Sequence, residues 1–396
     1  MSQNYKKTVY ACFTGYIVQA IVNNFVPLLF ITFQSAYNIP LSKITLLITV
    51  NFGVQLAVDV LSAYFVDKIG YRASIILAHV CCGAGFILLM LLPDLLPDPF
   101  AGILASVVVY AVGGGLLEVL VSPIIEACPT DNKEKAMSML HSFYCWGQTG
   151  VVLISTIFFA LWGTENWKIL AAVWALVPIA NTIAFTKVPI YSLQEDGEKG
   201  LALKELFKNS AFWLLMVMMT CAGASELSVS QWASAFAEQG LGVSKAVGDL
   251  AGPMAFAVLM GTARLIYGKF GDKLDLERFM LFSALLCVAS YLCISLVPFP
   301  VVGLVGCAVC GFSVGIMWPG TFSKAAASVK GGGTALFAML ALAGDLGCSG
   351  GPTLAGLVSG AVNDDLHIGI LAAAVFPALM AVCLILGGRK NKHRKN

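Results

Sequence analysis

The sequence predicts an all-α, polytopic membrane protein with twelve transmembrane helices in two pseudo-symmetric six-helix bundles. Three observations predict it. Only 12% of the 396 residues are charged and 58% are hydrophobic, with a mean hydropathy of +0.84, whereas a soluble domain carries about 25% charged residues. Apolar runs long enough to cross a bilayer core as helices recur along the whole chain. The second half also echoes the first. Asp67-Lys68 in "VDKIGYR" and Asp272-Lys273 in "GDKLDLER" stand 205 positions apart, and "WGQTG" (146–150) stands 200 before "LGCSG" (346–350).

The first span, 8–34, follows "MSQNYKK" directly; no short apolar core with a small-residue cleavage site precedes it, so no removable signal is expected. It carries Gln19 and Asn23 at i, i+4, with Asn24 beside them. The second, 43–65, has Asn51, Gln55 and Asp59 along one stripe. The third, 73–92, is almost bare of polar residues. In the fourth, 101–127, Gly114, Glu118, Ser122 and Glu126 recur every four residues. The fifth, 135–161, puts His141, Tyr144 and Gln148 on one face, and the sixth, 168–187, offers little beyond Asn181.

The long polar stretch "YSLQEDGEKGLALKELFKN" then divides the chain into a bundle at 1–190, a cytoplasmic linker at 191–210 and a second bundle at 211–396. The seventh span, 211–236, contains Glu226 and Ser230, followed by Gln231 and Trp232. The eighth, 247–270, contains Arg264; the ninth, 279–298, is nearly bare. The tenth, 300–325, holds Trp318 and the pair Cys307 and Cys310, which simply share a helix face. With no further His or Cys ligand nearby, these cysteines read as small buried hydrophobes and no metal is expected. The eleventh, 333–360, aligns Asp345, Ser349 and Thr353, and the twelfth, 366–387, is nearly bare before a basic tail.

Polar side chains facing lipid are costly, so stripes of them face a bundle interior or a watery cavity. Eight spans are thus expected to line something wet and four to support them. Orientation follows from Lys and Arg, which favour the cytoplasmic side. With the N-terminus inside, twenty of the 24 basic residues fall inside, so both termini are expected in the cytoplasm. The tail reads as an anchor near anionic lipid, with no nucleic-acid partner. Parallel six-helix repeats point to a transporter whose site lies at the midplane between halves.

"AYFVDKIGYR" (63–72) matches the loop motif G-x-x-x-D-[RK]-x-G-x-[RK], with Ala63 in place of the glycine and Asp67, Lys68, Gly70 and Arg72 kept. On this motif, its echo after the eighth span and the twelve spans, the chain resembles the major facilitator superfamily over essentially its full length. The resemblance implies the major facilitator fold, and implies that Asp67 works with the neighbouring basic residues to hold the cytoplasmic side shut. "GGGLLEVLVSPII" (113–125) and "NNFVPLLFITFQSAY" (23–37) resemble the fucose permease-like branch of sugar:proton symporters. The chain departs from that branch at Pro27, where the branch carries an acidic residue.

Glu118 is the leading candidate for proton coupling. An ionised carboxylate at this depth costs about 2.5–3.5 kcal/mol on insertion scales, and a group that gains and loses a proton as its surroundings change is what coupling needs. The other role open to it is a buried ion pair, for instance with Arg264. Glu226 and Asp345, near the middle of their spans, are further coupling candidates, and Glu226 is also expected to accept from substrate hydroxyls. Sugars are held by amides, carboxylates and aromatic faces. Gln19, Asn23, Asn24, Gln55, Glu118, His141, Tyr144, Gln148, Glu226, Gln231, Trp232 and Trp318 supply that mixture. Arg264 needs a compensating carboxylate. Asp59, Glu118 or Asp345 is expected to provide it, so Asp59 and Arg264 read as gating or ion-pair residues, with Lys68, Gly70, Arg72, Asp272 and Lys273.

The glycine triplets at 113–115 and 331–333 are not phosphate loops, since no strand or G-K-[ST] accompanies them. The expected function is therefore gradient-driven: a proton symporter for a sugar or similar polar solute, working by alternating access in the cytoplasmic membrane, expected not to be an enzyme and to use no cofactor. Its partners are the solute, protons and the bilayer, and it is expected to be a monomer. The alternatives are a proton-coupled exporter of amphipathic or cationic compounds, and a passive uniporter or sensor.

Overall fold

A computed structural model describes residues 5–129, 133–191, 203–270, 275–329 and 333–393. These residues are helical almost throughout, with no strand among them. Eleven helices among them are long and apolar enough to cross a membrane. A further one of 29 residues, Gly333–Ala361, completes the twelve. The chain divides into two compact units, Met1–Glu195 and Asp196–Asn396.

The first unit holds α1 (Tyr5–Tyr37), α2 (Leu41–Ile69), α3 (Tyr71–Leu95), α4 (Pro99–Ala127), α5 (Lys133–Trp162) and α6 (Trp167–Lys187). α1 is broken: a 3-10 turn at Val26–Leu29 separates Tyr5–Asn24 from Phe30–Tyr37. Pro27 lies in that turn, and without an N–H it cannot continue the α-helical ladder. α4 starts where Asp98 accepts the Phe100 N–H at 3.0 Å and Pro99 takes the first helical position. α2 runs past the sequence estimate of 65 to Ile69, and a single residue, Gly70 at φ +88°, turns the chain into α3. The family motif therefore lies on the end of a helix rather than in a loop.

α3 and α4 pack along a seam of small residues. A Cβ at Gly113 would stand 2.5 Å from the Ala78 carbonyl and Cys82 Sγ, and one at Gly85 2.5 Å from Tyr110 Cβ. Backbones come this close only where side chains are missing. Arg72 clamps the unit from α3, donating to the carbonyls of Phe185 (2.6 Å) and Val188 (2.9 Å) at the end of α6. Last-turn carbonyls lack helical partners, so a cation there is doubly favourable. Thr8 of α1 donates to the Pro189 carbonyl beside them at 2.6 Å.

The second unit contains α7 (Ser210–Gly240), α8 (Lys245–Tyr267), α9 (Leu276–Leu296), α10 (Pro300–Ala325), α11 (Gly333–Ala361) and α12 (Leu366–Gly387). α7 breaks at Gln231–Trp232, about the same offset from α1's break as separates the paired motifs, and ends in a π turn, Phe236–Gly240. α8 has its own π turn at Leu250–Met254, where Pro253 removes a donor. α7 and α11 meet through Gly223, Gly344, Gly347 and Gly351; a Cβ at Gly351 would stand 2.7 Å from Ala224 Cα. Lys324 of α10, 8% exposed, pairs with Glu277 at the start of α9. Ahead of α7 in the second unit, Leu203–Phe207 forms a short helical turn whose Phe207 carbonyl accepts the Trp213 indole N–H at 2.9 Å.

Candidate functional site

In the first unit, polar residues of α1, α2 and α4 form one hydrogen-bonded chain. Gln19 Nε2 donates to Gln55 Oε1 at 2.9 Å and to Glu118 Oε2 at 3.3 Å. Gln55 Nε2 donates to Asn23 Oδ1 at 2.9 Å, and Asn51 Nδ2 reaches the same oxygen at 3.3 Å. The amides are buried, while Glu118 is only half-buried. The glycine-rich start of the Glu118 stripe makes room for them. A Cβ at Gly114 would stand 3.2 Å from both Gln19 Oε1 and Gln55 Cδ, and one at Gly115 2.9 Å from the Gln55 carbonyl.

The chain extends toward α5. Asn24 Nδ2 lies 3.4 Å from the half-buried Tyr144 hydroxyl and donates to the Ala20 carbonyl at 2.9 Å. Tyr16 and Ser122 share a hydrogen bond of 3.1 Å. His141 is exposed, with its ring 5.4 Å from that of Tyr16. Gln148 is buried on α5 and Asp59 half-buried on α2. Two atoms carry the most information: the amide oxygens of Gln19 and Asn51 are buried without a hydrogen-bond partner. Such acceptors are normally satisfied, so they are suited to donors on a bound molecule.

In the second unit, Arg264 Nη2 of α8 lies 3.4 Å from Glu226 Oε2 of α7, with the two side chains 21% and 11% exposed. Glu226, which was not among the carboxylates expected to compensate Arg264, thus faces it within the second unit. Asp345 is buried on α11, next to Gly344, over which the Trp318 ring packs. Trp318 is half-buried and meets Phe322 edge-on, with ring centroids 6.3 Å apart.

Gln231 and Trp232 sit at the break in α7, and both are buried. Trp232 is wholly enclosed, its indole N–H donating to the Pro352 carbonyl at 2.9 Å. It ties α7 to the proline of α11, and no ring face is open in this arrangement. Trp232→Phe is accordingly expected to act on stability, lowering it by about 1–3 kcal/mol because a buried carbonyl loses its donor. A thermal melt of the purified protein checks this; an unchanged melt with weakened solute binding would return Trp232 to the binding face.

The side chains of Asp67 and Lys68, and all of Asp272 and Lys273, lie outside the described residues. Gly70 and Arg72 occupy the helix-end positions given above. Sequence reasoning missed a second layer. Asn51, on the α2 stripe but not among the expected site residues, joins the amide chain through Asn23. His79, in the nearly bare third span, is buried, with Nδ1 2.8 Å from the Ile75 carbonyl and Nε2 2.8 Å from Asn181 Nδ2. Asn181 also donates to the Ala11 carbonyl at 3.0 Å, pinning α1, α3 and α6 together. Lys245, counted only as an outside charge, is 14% exposed and bridges Glu238 (3.3 Å) and the fully buried Asp249 (3.2 Å), which also bonds Ser234. Its i, i+4 spacing to Asp249 was the available signal.

The model of the Major Facilitator Superfamily matches residues 11–352. The chain belongs to that superfamily, a family of transporters. No curated relative matches the sequence. Among solved structures, the chain is similar to the E. coli fucose:proton symporter FucP, at 15% identity and a TM-score of 0.65, covering 97% of this chain and 99% of that one. It is also similar to a bacterial homolog of the human lysosomal transporter Spinster. In its inward-facing, unoccupied form that protein gives 13% identity, a TM-score of 0.79 and 98% coverage of both chains. Its occupied form gives 14%, 0.74 and 98% of both. At these identities the likeness is one of fold.

Proposed function

We propose that this superfamily member is a proton symporter for a neutral polyhydroxyl solute, a sugar, working by alternating access in the cytoplasmic membrane with both termini inside. The observation that carries the reading is the buried chain of amides ending on Glu118. Amides offer donors and acceptors at fixed geometry, as hydroxyl-bearing rings require, and the carboxylate adds a group that can take a proton. The description of FucP as a fucose:proton symporter supports the same reading. Glu118 is the coupling residue, and Gln19, Asn23, Asn24, Gln55, Tyr144 and Gln148 form the solute face of the first unit. Glu226 and Asp345 serve as further acceptors, Trp318 offers an aromatic face, and Asp67 with Arg72 belongs to the cytoplasmic gate.

A second reading, a proton-coupled exporter of cationic compounds, is favoured by one observation. The two amide oxygens without partners would accept from an ammonium as well as from a hydroxyl. A binding panel of sugars and lipophilic cations on purified protein, at low and high salt, separates the two. A neutral sugar should bind with little salt dependence, whereas a cation drawn by Glu118 would bind less well as salt screens it. Saturable binding by cations alone would overturn the sugar reading.

A further inference from the structure

The hydrogen bonds around Glu118 have a direction, and one group sets it. An ionised carboxylate can only accept, so Gln19 must turn its Nε2 toward Glu118 Oε2, as it does at 3.3 Å. The same Nε2 donates to Gln55 Oε1, which leaves Gln55 Nε2 to donate to Asn23 Oδ1; that oxygen, already an acceptor, then takes Asn51 Nδ2. Both N–H groups of Gln19 and one each of Gln55 and Asn51 are thereby directed into the chain. The atoms left over, Gln19 Oε1 and Asn51 Oδ1, are both acceptors, in residues 3% and 6% exposed.

A proton on Glu118 opens the opposite order, because the neutral carboxyl gains a donor. The carboxyl O–H now donates, and Gln19 can rotate about its terminal bond to accept it through Oε1. Gln55 then donates Nε2 to Gln19 Oε1, Asn23 donates Nδ2 to Gln55 Oε1 and to Asn51 Oδ1, and the leftover atoms become the N–H groups of Gln19 and Asn51. The only covalent change is the O–H formed on Glu118, whose proton is transferred from hydronium and leaves water behind; every other change is in hydrogen bonds. Four hydrogen bonds join the four amides and Glu118 in either order, so the number of bonds within the chain does not choose between the two polarities.

We propose that Gln19, Gln55, Asn23 and Asn51 form a polarity relay that converts the protonation of Glu118 into the hydrogen-bonding character of the solute face. With Glu118 ionised the face accepts; with Glu118 protonated it donates. The proposal rests on the reading of Glu118 as the coupling residue and gives that reading a direction. A solute bound mainly through its lone pairs binds together with the proton and is cotransported. A solute bound only through donors, such as an ammonium, competes with the proton and is exchanged for it. Coupling of either sign is linkage between two ligands of one network.

Titratable groups on the helices packed against α4 include Tyr16 on α1, Asp59 and Lys43 on α2, and His141 and Tyr144 on α5, while His79 on α3 is turned to Asn181. The test must therefore isolate Glu118. Protein reconstituted in lipid, with Asn and Gln carrying a carbon-13 side-chain amide, is titrated by difference infrared spectroscopy without any solute. The relay predicts that side-chain amide carbonyl bands shift at the same pH as the protonated-carboxyl band grows. Glu118→Gln should lose both changes. Asn51→Leu should keep the carboxyl titration and lose part of the amide shift, and Gln55→Leu should lose more of it, in protein whose helix content and melt show it folded. Amide bands that stay still while Glu118 titrates, or a full shift in both leucine variants, would overturn the relay. Because no transport is measured, a failure of proton-driven uptake would count against the symport reading alone.

Discussion

Glu118→Gln should abolish accumulation of solute against its gradient while leaving exchange between equal pools intact. Glutamine keeps the shape of the side chain and can still accept at its carbonyl oxygen from Gln19 Nε2. What it loses is the proton. Exchange requires only that a loaded site reorient, whereas accumulation requires that reorientation be tied to protonation. Reconstituted vesicles with and without an imposed pH gradient separate the two. Gradient-driven accumulation by the variant at the parent's level would remove Glu118 from the coupling mechanism. Loss of exchange as well would assign it to binding alone.

Arg264→Met should destabilise the second unit by about 3–5 kcal/mol, the usual cost of removing one partner of a buried pair. The cost comes mostly from the carboxylate left behind. Glu226 is 8% exposed as a residue and sits 3.4 Å from the guanidinium, so without Arg264 its charge has lost its nearby counterion in a poorly solvated place. The double variant Glu226→Gln/Arg264→Met removes both charges and should recover most of the loss. Melting curves of the single and double variants read this directly. Equal destabilisation in both would mean that Arg264 acts through its packing instead.

Much of this architecture was legible in the residues because membrane burial punishes error. Charge and apolar length gave twelve spans, and the i, i+4 spacing of Gln19 with Asn23 and of Asn51 with Gln55 placed those amides on shared stripes, where hydrogen bonds now join them. Partners across helices were harder. Glu226 is absent from the partners expected for Arg264, because periodicity fixes a residue's face but not which neighbouring helix that face meets. Trp232 was read as a binding aromatic, although its indole N–H is used on Pro352 of α11. A tryptophan near an acidic residue gives no sign of which way its ring turns. His79 was overlooked because a lone histidine in an apolar helix has no pattern of its own, and its partner Asn181 lies 102 residues away. The π turns around Lys245 and Asp249 were equally hidden, since only the helical path brings Glu238 to the same lysine.

The central claim, that a neutral solute and a proton move inward together, is tested most directly by following external pH in weakly buffered vesicles carrying the protein. With no gradient imposed, a bound sugar from the panel is added outside. The account predicts that the medium turns alkaline as the sugar enters, and that the signal disappears in Glu118→Gln although labelled sugar still exchanges. Sugar entry with no pH change, or acidification of the medium on addition of a cation alone, would contradict it.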